Sequence, residues 1–562
     1  MAGDERPGPA PPAVASGQAP ADQREPDTGP SGPATGRPGS VTARRDPGRP
    51  GPVAGTRTSM DPVTWVIALA AFMAYDTLSV FRYLRLDPGS WDLGIFTEYV
   101  KQVAHLHAPV VAIRGAGFNL LGDHFQPIVG LLAPFFRVFP TPETLLVAQA
   151  LLIAASVIPV CRAAQELLGV WASRGIGLAY AFSWGLQQMV TFDFHEIAFA
   201  VPLLAFSLSA LVRRRLRPAV AWALPLVFVK EDQGFTVAAI GLVIAGYGLA
   251  VLRARRRGAP APVRGWDAAP RQEPATWIRA GVLLAAWGLA WSVLAIAIIV
   301  PHFNPAHHYQ YWSDGGVVGP GGHLSVTGLA HQLTQSAGEK LWTTFLILLP
   351  VAFLAVRSPV ALIALPSLAL RFVSTNNYFW GTAWHYNATV MPIVFLAAVD
   401  AMASFRAGSA RRAGPARRRA PPWLPAPGEA VARYGAVVMV VIAGWLAFRF
   451  PLDGLWHAQT YDITPHVSAE EAAMARVPDG VTVETTLSML ASLAARDDAY
   501  WIGTAPQRPG PAYVVLDADD GGSPSPSGML AFIERGHPGS AYQRVFARDN
   551  VYVFRRTGRT GG

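Results

Sequence analysis

The sequence predicts a polytopic α-helical membrane protein with a small C-terminal α/β domain. Three observations lead there. Hydrophobic residues make up 51% of the 562 residues and charged residues 15%, against about 25% charge in soluble domains. Mean hydropathy is +0.27 although both ends of the chain are polar. The net charge of +9 sits mainly in Arg-rich loops between apolar runs, which is the positive-inside pattern. A nucleic-acid binder would gather such charge on one folded face. The single cysteine, Cys161, excludes an internal disulfide framework and any Cys-based metal cluster.

Residues 1–60 hold 10 Gly and 12 Pro and no Leu, Ile, Phe, Trp or Tyr. Such a segment buries too little surface to offset its ordering entropy, so it is expected to be a disordered cytoplasmic tail. It lacks the apolar stretch of a signal peptide.

Residues 61–450 are expected to form the multi-span domain. A span needs about 20 apolar residues. Eleven runs qualify, some of them short: 63–80, 143–161, 172–190, 197–212, 218–229, 234–252, 279–300, 341–356, 358–372, 387–403 and 433–450. The apolar run 126–139 would make a twelfth, but it is short and carries Pro134 and Arg137. Charge decides its fate. With eleven spans, the basic loops Arg213–Arg217, Arg253–Arg257 and Arg406–Arg419 share one side with the Arg-bearing tail. A twelfth span would put the tail opposite them. The run 126–139 is therefore expected to lie in the interface or re-enter. This parity puts the first loop, 81–142, on the outer face with 191–196, 230–233, 301–340, 373–386 and the C-terminal part.

Residues 451–562 alternate helix and strand patterns. Strands are expected at 481–485, 513–517, 541–546 and 550–555, with helices at 468–476, 487–496 and 528–535. That pattern reads as a small extracytoplasmic α/β domain. The acidic loop Asp517–Ser527 reads as solvated rather than cation-binding, and Gly315–Gly322 as a flexible loop.

Charged residues at span ends need a reason, because a charge at membrane depth costs at least about 2.5–3.5 kcal/mol. Five clusters stand out. Asp92 and Glu98 follow the first span; from spacing alone Asp92 reads equally as a helix N-cap or a functional acid. Asp123 and His124 sit in GDHFQP, where a turn before proline competes with metal binding or proton transfer. Asp193, His195 and Glu196 form a very short polar connection, FDFHE. Lys230, Glu231 and Asp232 form another, KEDQG. Lys230 is one of three lysines in a chain that otherwise uses Arg. That choice fits a point charge for a phosphate, or a self-neutralising pair with a carboxylate. The fifth cluster holds Arg371, Tyr378, Trp380, Trp384, His385 and Tyr386, where the two Trp also suit a membrane-interface belt. A further loop carries His302, His307, His308, Tyr309 and Tyr311 without a carboxylate at ligand spacing. Under the charge-derived topology all five clusters fall on one membrane face, which makes that face the candidate site. The chain has no Walker A loop, G-x-S-x-G, H-E-x-x-H or strand-linked G-x-G-x-x-G.

The set WDLGIF, GDHFQP, FDFHE, KEDQG and WHYN, with YDITPH opening the last domain, resembles the bacterial membrane protein family named domain of unknown function 2079. The resemblance runs from about Val63 to the C-terminal hairpin. That family is grouped with the C-type (GT-C) membrane glycosyltransferases. The resemblance implies a plasma-membrane enzyme of about eleven spans that moves a sugar from a polyprenyl-phosphate donor to a glycan, lipid or protein acceptor outside the cytoplasm. Asp92 matches the first-loop acid that acts as catalytic base in that superfamily, and Glu231 and Asp232 are the other candidate catalytic acids. The implied substrate-binding set is Asp123, His124, His195, Glu196, Lys230, Arg371, Tyr378, His385 and Tyr386. Lys230 and Arg371 are the candidates for the donor phosphate. Some superfamily members use a divalent cation (Mg or Mn) and others none, so the metal stays open. Asp92 is a single acid, which speaks against a cation bridged by adjacent first-loop acids. Two other readings stand beside this one: a transporter or flippase using the same outer cavity, and a non-catalytic envelope assembly protein.

Overall fold

The computed structural model describes residues 59–261, 263–264, 273–311, 326–413, 427–520, 525 and 527–559. The tail through residue 58, the 315–322 loop, the basic loop beyond 413 and residues 521–524 and 526 of the acidic loop lie outside the described residues.

Among the described residues six helices are long and apolar enough to cross a membrane: Pro62–Leu84, Glu143–Leu168, Gln233–Arg256, Pro274–Phe303, His385–Ser409 and Pro427–Ala447. Four shorter apolar helices accompany them, at Pro127–Val138, Glu196–Val212, Leu216–Phe228 and Pro359–Val373. Of the eleven expected spans, six coincide with the long helices, three (197–212, 218–229 and 358–372) with shorter helices, and two are interrupted. The run 172–190 stops after Ala181, passes through extended Ser183 and resumes as Trp184–Val190. The run 341–356 ends its helix at Leu348 and enters a turn with Pro350 and left-handed Ala352 and Phe353. Proline removes a helical donor. The two breaks meet: the Trp184 indole donates to the Leu346 carbonyl at 2.7 Å. That bond supplies a partner to a carbonyl near a helix end that lacks one.

The helix Val390–Ala413 runs through the core, with Val390–Val399 buried throughout. A helix apolar all round needs such a position. Its one buried acid, Asp400, is satisfied by Arg214 and Arg264, each at 3.0 Å, and by the Ser358 hydroxyl at 2.9 Å.

Gln233–Arg256 packs antiparallel against Pro274–Leu294 through facing glycines. A Cβ on Gly241 would lie 2.4 Å from the Gly281 carbonyl oxygen, and one on Gly234 2.2 Å from that of Gly288. Small residues let two backbones approach this closely. The approach brings Ser292 Oγ to 2.6 Å from the Glu231 carbonyl, which anchors the 230–233 connection.

The C-terminal part carries a five-stranded sheet ordered β2-β1-β3-β5-β4, where β1 is Thr482–Thr485, β2 Asp498–Trp501, β3 Tyr513–Asp517, β4 Ser540–Arg548 and β5 Val551–Arg559. Strands β2, β1 and β3 are parallel, and β5 pairs antiparallel with both β3 and β4. The helices Pro465–Met474, Leu487–Ala494 and Met529–Gly536 accompany the sheet. This part docks on the helix Asp92–Ala104. Lys101 Nζ donates to the carbonyls of Ala494 at 2.7 Å and Asp497 at 2.5 Å, a cation on the negative end of a helix. Trp91 packs on Trp501 with ring centres 5.0 Å apart.

Candidate functional site

The site is built from the turns between helices. Asp193 adopts a left-handed backbone, which Asp tolerates better than most residues. Its Oδ2 accepts from the Gly89 amide at 2.7 Å and the Ser90 amide at 3.4 Å. Residue 89 is glycine for a steric reason: a Cβ there would sit 2.4 Å from the Thr191 carbonyl oxygen. Gln149, inside Glu143–Leu168, holds the same turn by accepting from the His195 amide at 3.1 Å and donating to the Asp193 carbonyl. The turn in turn fixes the entry to the first-loop helix.

Asp92 is the first residue of that helix, and Trp91 holds the N-cap position without a side-chain bond. The capping role open to Asp92 on spacing is taken instead by Ser90, whose Oγ accepts from the Asp92 amide at 3.0 Å and donates to Asp92 Oδ2 at 2.9 Å. Burial raises the Asp92 carboxyl above its ordinary range, against the opposing pull of His195 and Lys230. Asp92 therefore shares its field with the two polar connections.

Glu196 is 0% exposed and lies between two nitrogen donors, His195 Nδ1 at 2.6 Å and the Lys230 ammonium at 3.1 Å. Burial works against the charge on Lys230, but Glu196, Glu231 and Asp232 outweigh it and hold the ammonium well above its ordinary pKa. The His195 ring stacks on His385 with centres 3.5 Å apart, and Phe192 packs against both.

Glu231 faces the first loop. Its Oε1 meets His124 Nδ1 at 2.7 Å and the Tyr309 hydroxyl at 2.9 Å, and its Oε2 accepts from the Phe125 amide at 3.0 Å. Burial would raise its pKa, but His124 and Lys230 keep it below the ordinary value. With both oxygens engaged, Glu231 ties three segments together. Asp123 does related work, accepting from Arg114 at 3.3 Å and from the Tyr311 hydroxyl at 3.0 Å. Tyr311 stacks on His124.

Arg371 is 6% exposed. Its guanidinium donates to the carbonyls of Phe379 at 2.9 Å, Tyr386 at 3.2 Å and Gly381 at 3.3 Å, and to Asn387 Oδ1 at 3.0 Å. Among the described residues no carboxylate pairs with it. It lines a cavity of about 120 Å³ together with Lys230, Asp232, Gln233, His385 and Tyr386 on the polar side and Ile197, Leu370 and Phe379 on the apolar side. Burial raises the Asp232 carboxyl, against the pull of Lys230.

Five of the twelve candidate residues thus line one cavity: Lys230, Asp232, Arg371, His385 and Tyr386. His195, Glu196 and Asp92 adjoin it through the stack and the charge cluster. Asp123, His124 and Glu231 form the neighbouring brace. Tyr378 stands apart, 61% exposed, with its ring against Trp384. Trp380, a belt candidate on sequence, is buried, and its indole donates to the Ser374 carbonyl. Sequence reasoning missed the roles of Ser90, Gln149, Tyr309 and Tyr311. The aromatic-rich HHYQYW stretch was the one available signal for the tyrosines.

Two cations on one cavity, with nearby carboxylates, suit an anionic substrate and a proton acceptor. A cation cage does not fit there. Glu231 is saturated, Glu196 is held by Lys230 and His195, and no set of three converging metal donors forms at this cluster among the described residues.

A family model described as "Predicted membrane protein (DUF2079)" matches residues 82–553. No curated protein matches. Among solved structures, the chain is similar to ArnT from Cupriavidus metallidurans, solved bound to undecaprenyl phosphate. Identity is 15% and the TM-score 0.45, over 88% of this chain and 98% of that one. It is also similar to the Archaeoglobus fulgidus oligosaccharyltransferase in the apo form, at 15% identity and a TM-score of 0.37, over 80% of this chain and 70% of that one.

Proposed function

Because the chain belongs to the DUF2079 family of membrane proteins, we propose that it is a multi-pass membrane glycosyltransferase of the bacterial plasma membrane. It takes a polyprenyl-phosphate-linked sugar as donor and a cell-envelope glycan, lipid or protein as acceptor on the extracytoplasmic face, where the C-terminal α/β part also lies. The observation that carries this reading is the cavity that pairs Lys230 with Arg371, a buried guanidinium held by carbonyls and an amide oxygen. A buried cation without a carboxylate partner is poised for an incoming anion.

In the proposed reaction the acceptor hydroxyl oxygen bonds to the anomeric carbon. The bond from that carbon to the phosphate oxygen breaks, and its electron pair leaves with the polyprenyl phosphate. Asp92 takes the hydroxyl proton, and its burial-raised pKa makes it a stronger base than a solvated carboxylate. Lys230 and Arg371 stabilise the charge that grows on the phosphate. His385 and Tyr386 flank that phosphate, and Asp232 orients the acceptor.

The test uses the full chain in lipid nanodiscs, wild type beside Asp92→Asn, with a panel of polyprenyl-phosphate sugars followed by mass spectrometry. Donor turnover that falls at least about 100-fold in the variant, at unchanged folded yield, is the expected result. Turnover that survives moves the base to Asp232. Absence of both turnover and donor binding across the panel would overturn the transferase reading in favour of transport or assembly.

A further inference from the structure

A second polar cluster lies far from this cavity in sequence. His466 opens the helix Pro465–Met474, Asp517 ends β3, Asp519 follows it, and Asp549 sits in the turn between β4 and β5. His466 Nε2 is 3.1 Å from Asp517 Oδ2, and its Nδ1 is 3.9 Å from Asp519 Oδ2 and 3.6 Å from Asp549 Oδ2. One donor atom from each of His466, Asp517 and Asp519 falls within 4.8 Å of the others. The cluster sits at the carboxyl end of β3, beside the parallel pair β1 and β3. Ligands of open α/β sheets bind at that edge.

A second, independent observation points the same way. Glu470 stands four residues after His466 and so on the same helix face. It is 2% exposed, and its Oε1 has no hydrogen-bond partner. Its electrostatic neighbours are Asp517, His466 and Asp520. Three carboxylates therefore lie within 3.9 Å of one imidazole, and among the described residues no Lys or Arg pairs with Asp517, Asp519, Asp549 or Glu470. A single imidazolium leaves most of that negative charge unbalanced.

We propose that His466, Asp517 and Asp519 bind one divalent transition-metal cation, with Asp549 as a further ligand and Glu470 as the buried carboxylate behind them. An imidazole among carboxylates suits Zn2+ or Mn2+, whereas Ca2+ and Mg2+ prefer oxygen shells. Bonds of about 2.0–2.2 Å draw donors to about 3.0–3.6 Å from one another. His466 Nε2 and Asp517 already have that spacing, and Asp519, 58% exposed at its side chain, would exchange its Asn550 amide contact for the ion on that side of the ring. The ion would join a helix start, a strand end and a hairpin turn, and so stabilise the C-terminal part in proportion to its occupancy.

The experiment takes the untagged full chain in detergent, strips it with a chelator, and titrates it separately with Zn2+ and Mn2+. Bound metal is counted by mass spectrometry after equilibrium dialysis, and unfolding temperature is followed alongside. One ion per chain is expected, with a rise in unfolding temperature. Asp519→Asn is expected to weaken binding by about tenfold or more at unchanged apo unfolding temperature, and His466→Ala to abolish it. Asp232→Asn, at the membrane cavity, is expected to keep the ion. Failure to retain any ion overturns the proposal. So does an ion that persists undiminished in Asp519→Asn and His466→Ala, or one that is lost in Asp232→Asn alone.

Discussion

Lys230 is the residue whose two roles can be pulled apart. Its ammonium lies 3.1 Å from Glu196, a carboxylate that is 0% exposed. Lys230→Met leaves Glu196 with His195 alone, and breaking a buried pair from one side costs about 3–5 kcal/mol. Adding Glu196→Gln removes the stranded charge. The double variant should then regain all but about 1 kcal/mol, which makes it about 2–4 kcal/mol more stable than Lys230→Met alone. Transfer should not return with it. An ammonium about 4 Å from a phosphate is worth up to about 4 kcal/mol near a protein surface. Allowing for lost hydration, the double variant should lose roughly 30- to 1000-fold in turnover at unchanged acceptor concentration. The assay is thermal unfolding in detergent for both variants, with donor turnover in nanodiscs for the double one. A double variant that folds and transfers like wild type would refute the phosphate role and leave Lys230 as a neutralising partner. A single variant as stable as wild type would refute the buried-pair arithmetic.

Other perturbations separate the remaining parts. Arg371→Lys keeps the charge but cannot reproduce four directed bonds from one planar fork. It should lower the unfolding temperature and weaken polyprenyl phosphate binding by about tenfold or more, and binding equal to wild type would count against the cavity. Burial raises Asp193 to about 7, above an unfolded value near 3.9. The folded state therefore holds the extra proton between those values, and the associated stability is present at low pH and lost as pH rises through about 7. Asp193→Asn retains an oxygen for the Gly89 amide. It should flatten the fall in unfolding temperature between about pH 4 and pH 7, and parallel profiles would contradict this. Lys101→Met removes the cation from the end of Leu487–Ala494. Hydrogen exchange in that helix should rise, at a cost of about 1.5–3 kcal/mol, and unchanged exchange would show that the dock does not depend on it.

The charged turns were legible because a charge is conspicuous in a chain this apolar. Lys230 stood out by residue choice, and Asp193, His195 and Glu196 by their crowding into a short connection. Their partners were not legible. Lys230 sits among two adjacent acids, yet its 3.1 Å contact is with Glu196, 34 positions away, because the turns that carry them close on the same cavity. Glu231 reads as a candidate catalytic acid or the partner of Lys230, and is instead saturated by His124, Phe125 and Tyr309. The breaks at Ser183 and Phe353 escaped as well. Hydropathy sums side chains over a window, whereas a break is a backbone event. It is tolerated here because Trp184, from the segment after one break, supplies a donor to Leu346, just before the other.

The turns between the helices carry many interlocked polar groups for a physical reason. A cavity for the proposed anionic lipid headgroup must keep two cations near each other without collapsing onto carboxylates. Arg371 is held apart by carbonyls, and Lys230 is shared between a buried carboxylate and the cavity. Both side chains line the cavity. The cost is a set of buried charges that must be positioned from several chain segments at once. Gln149, Ser90, Ser292 and Tyr309 supply that positioning through bonds to backbone or to the acids themselves. A purely structural brace would need no guanidinium on the cavity wall without a carboxylate partner. That feature distinguishes a binding cavity from a neutralised network, and the Arg371→Lys and Lys230→Met/Glu196→Gln variants interrogate it from opposite sides.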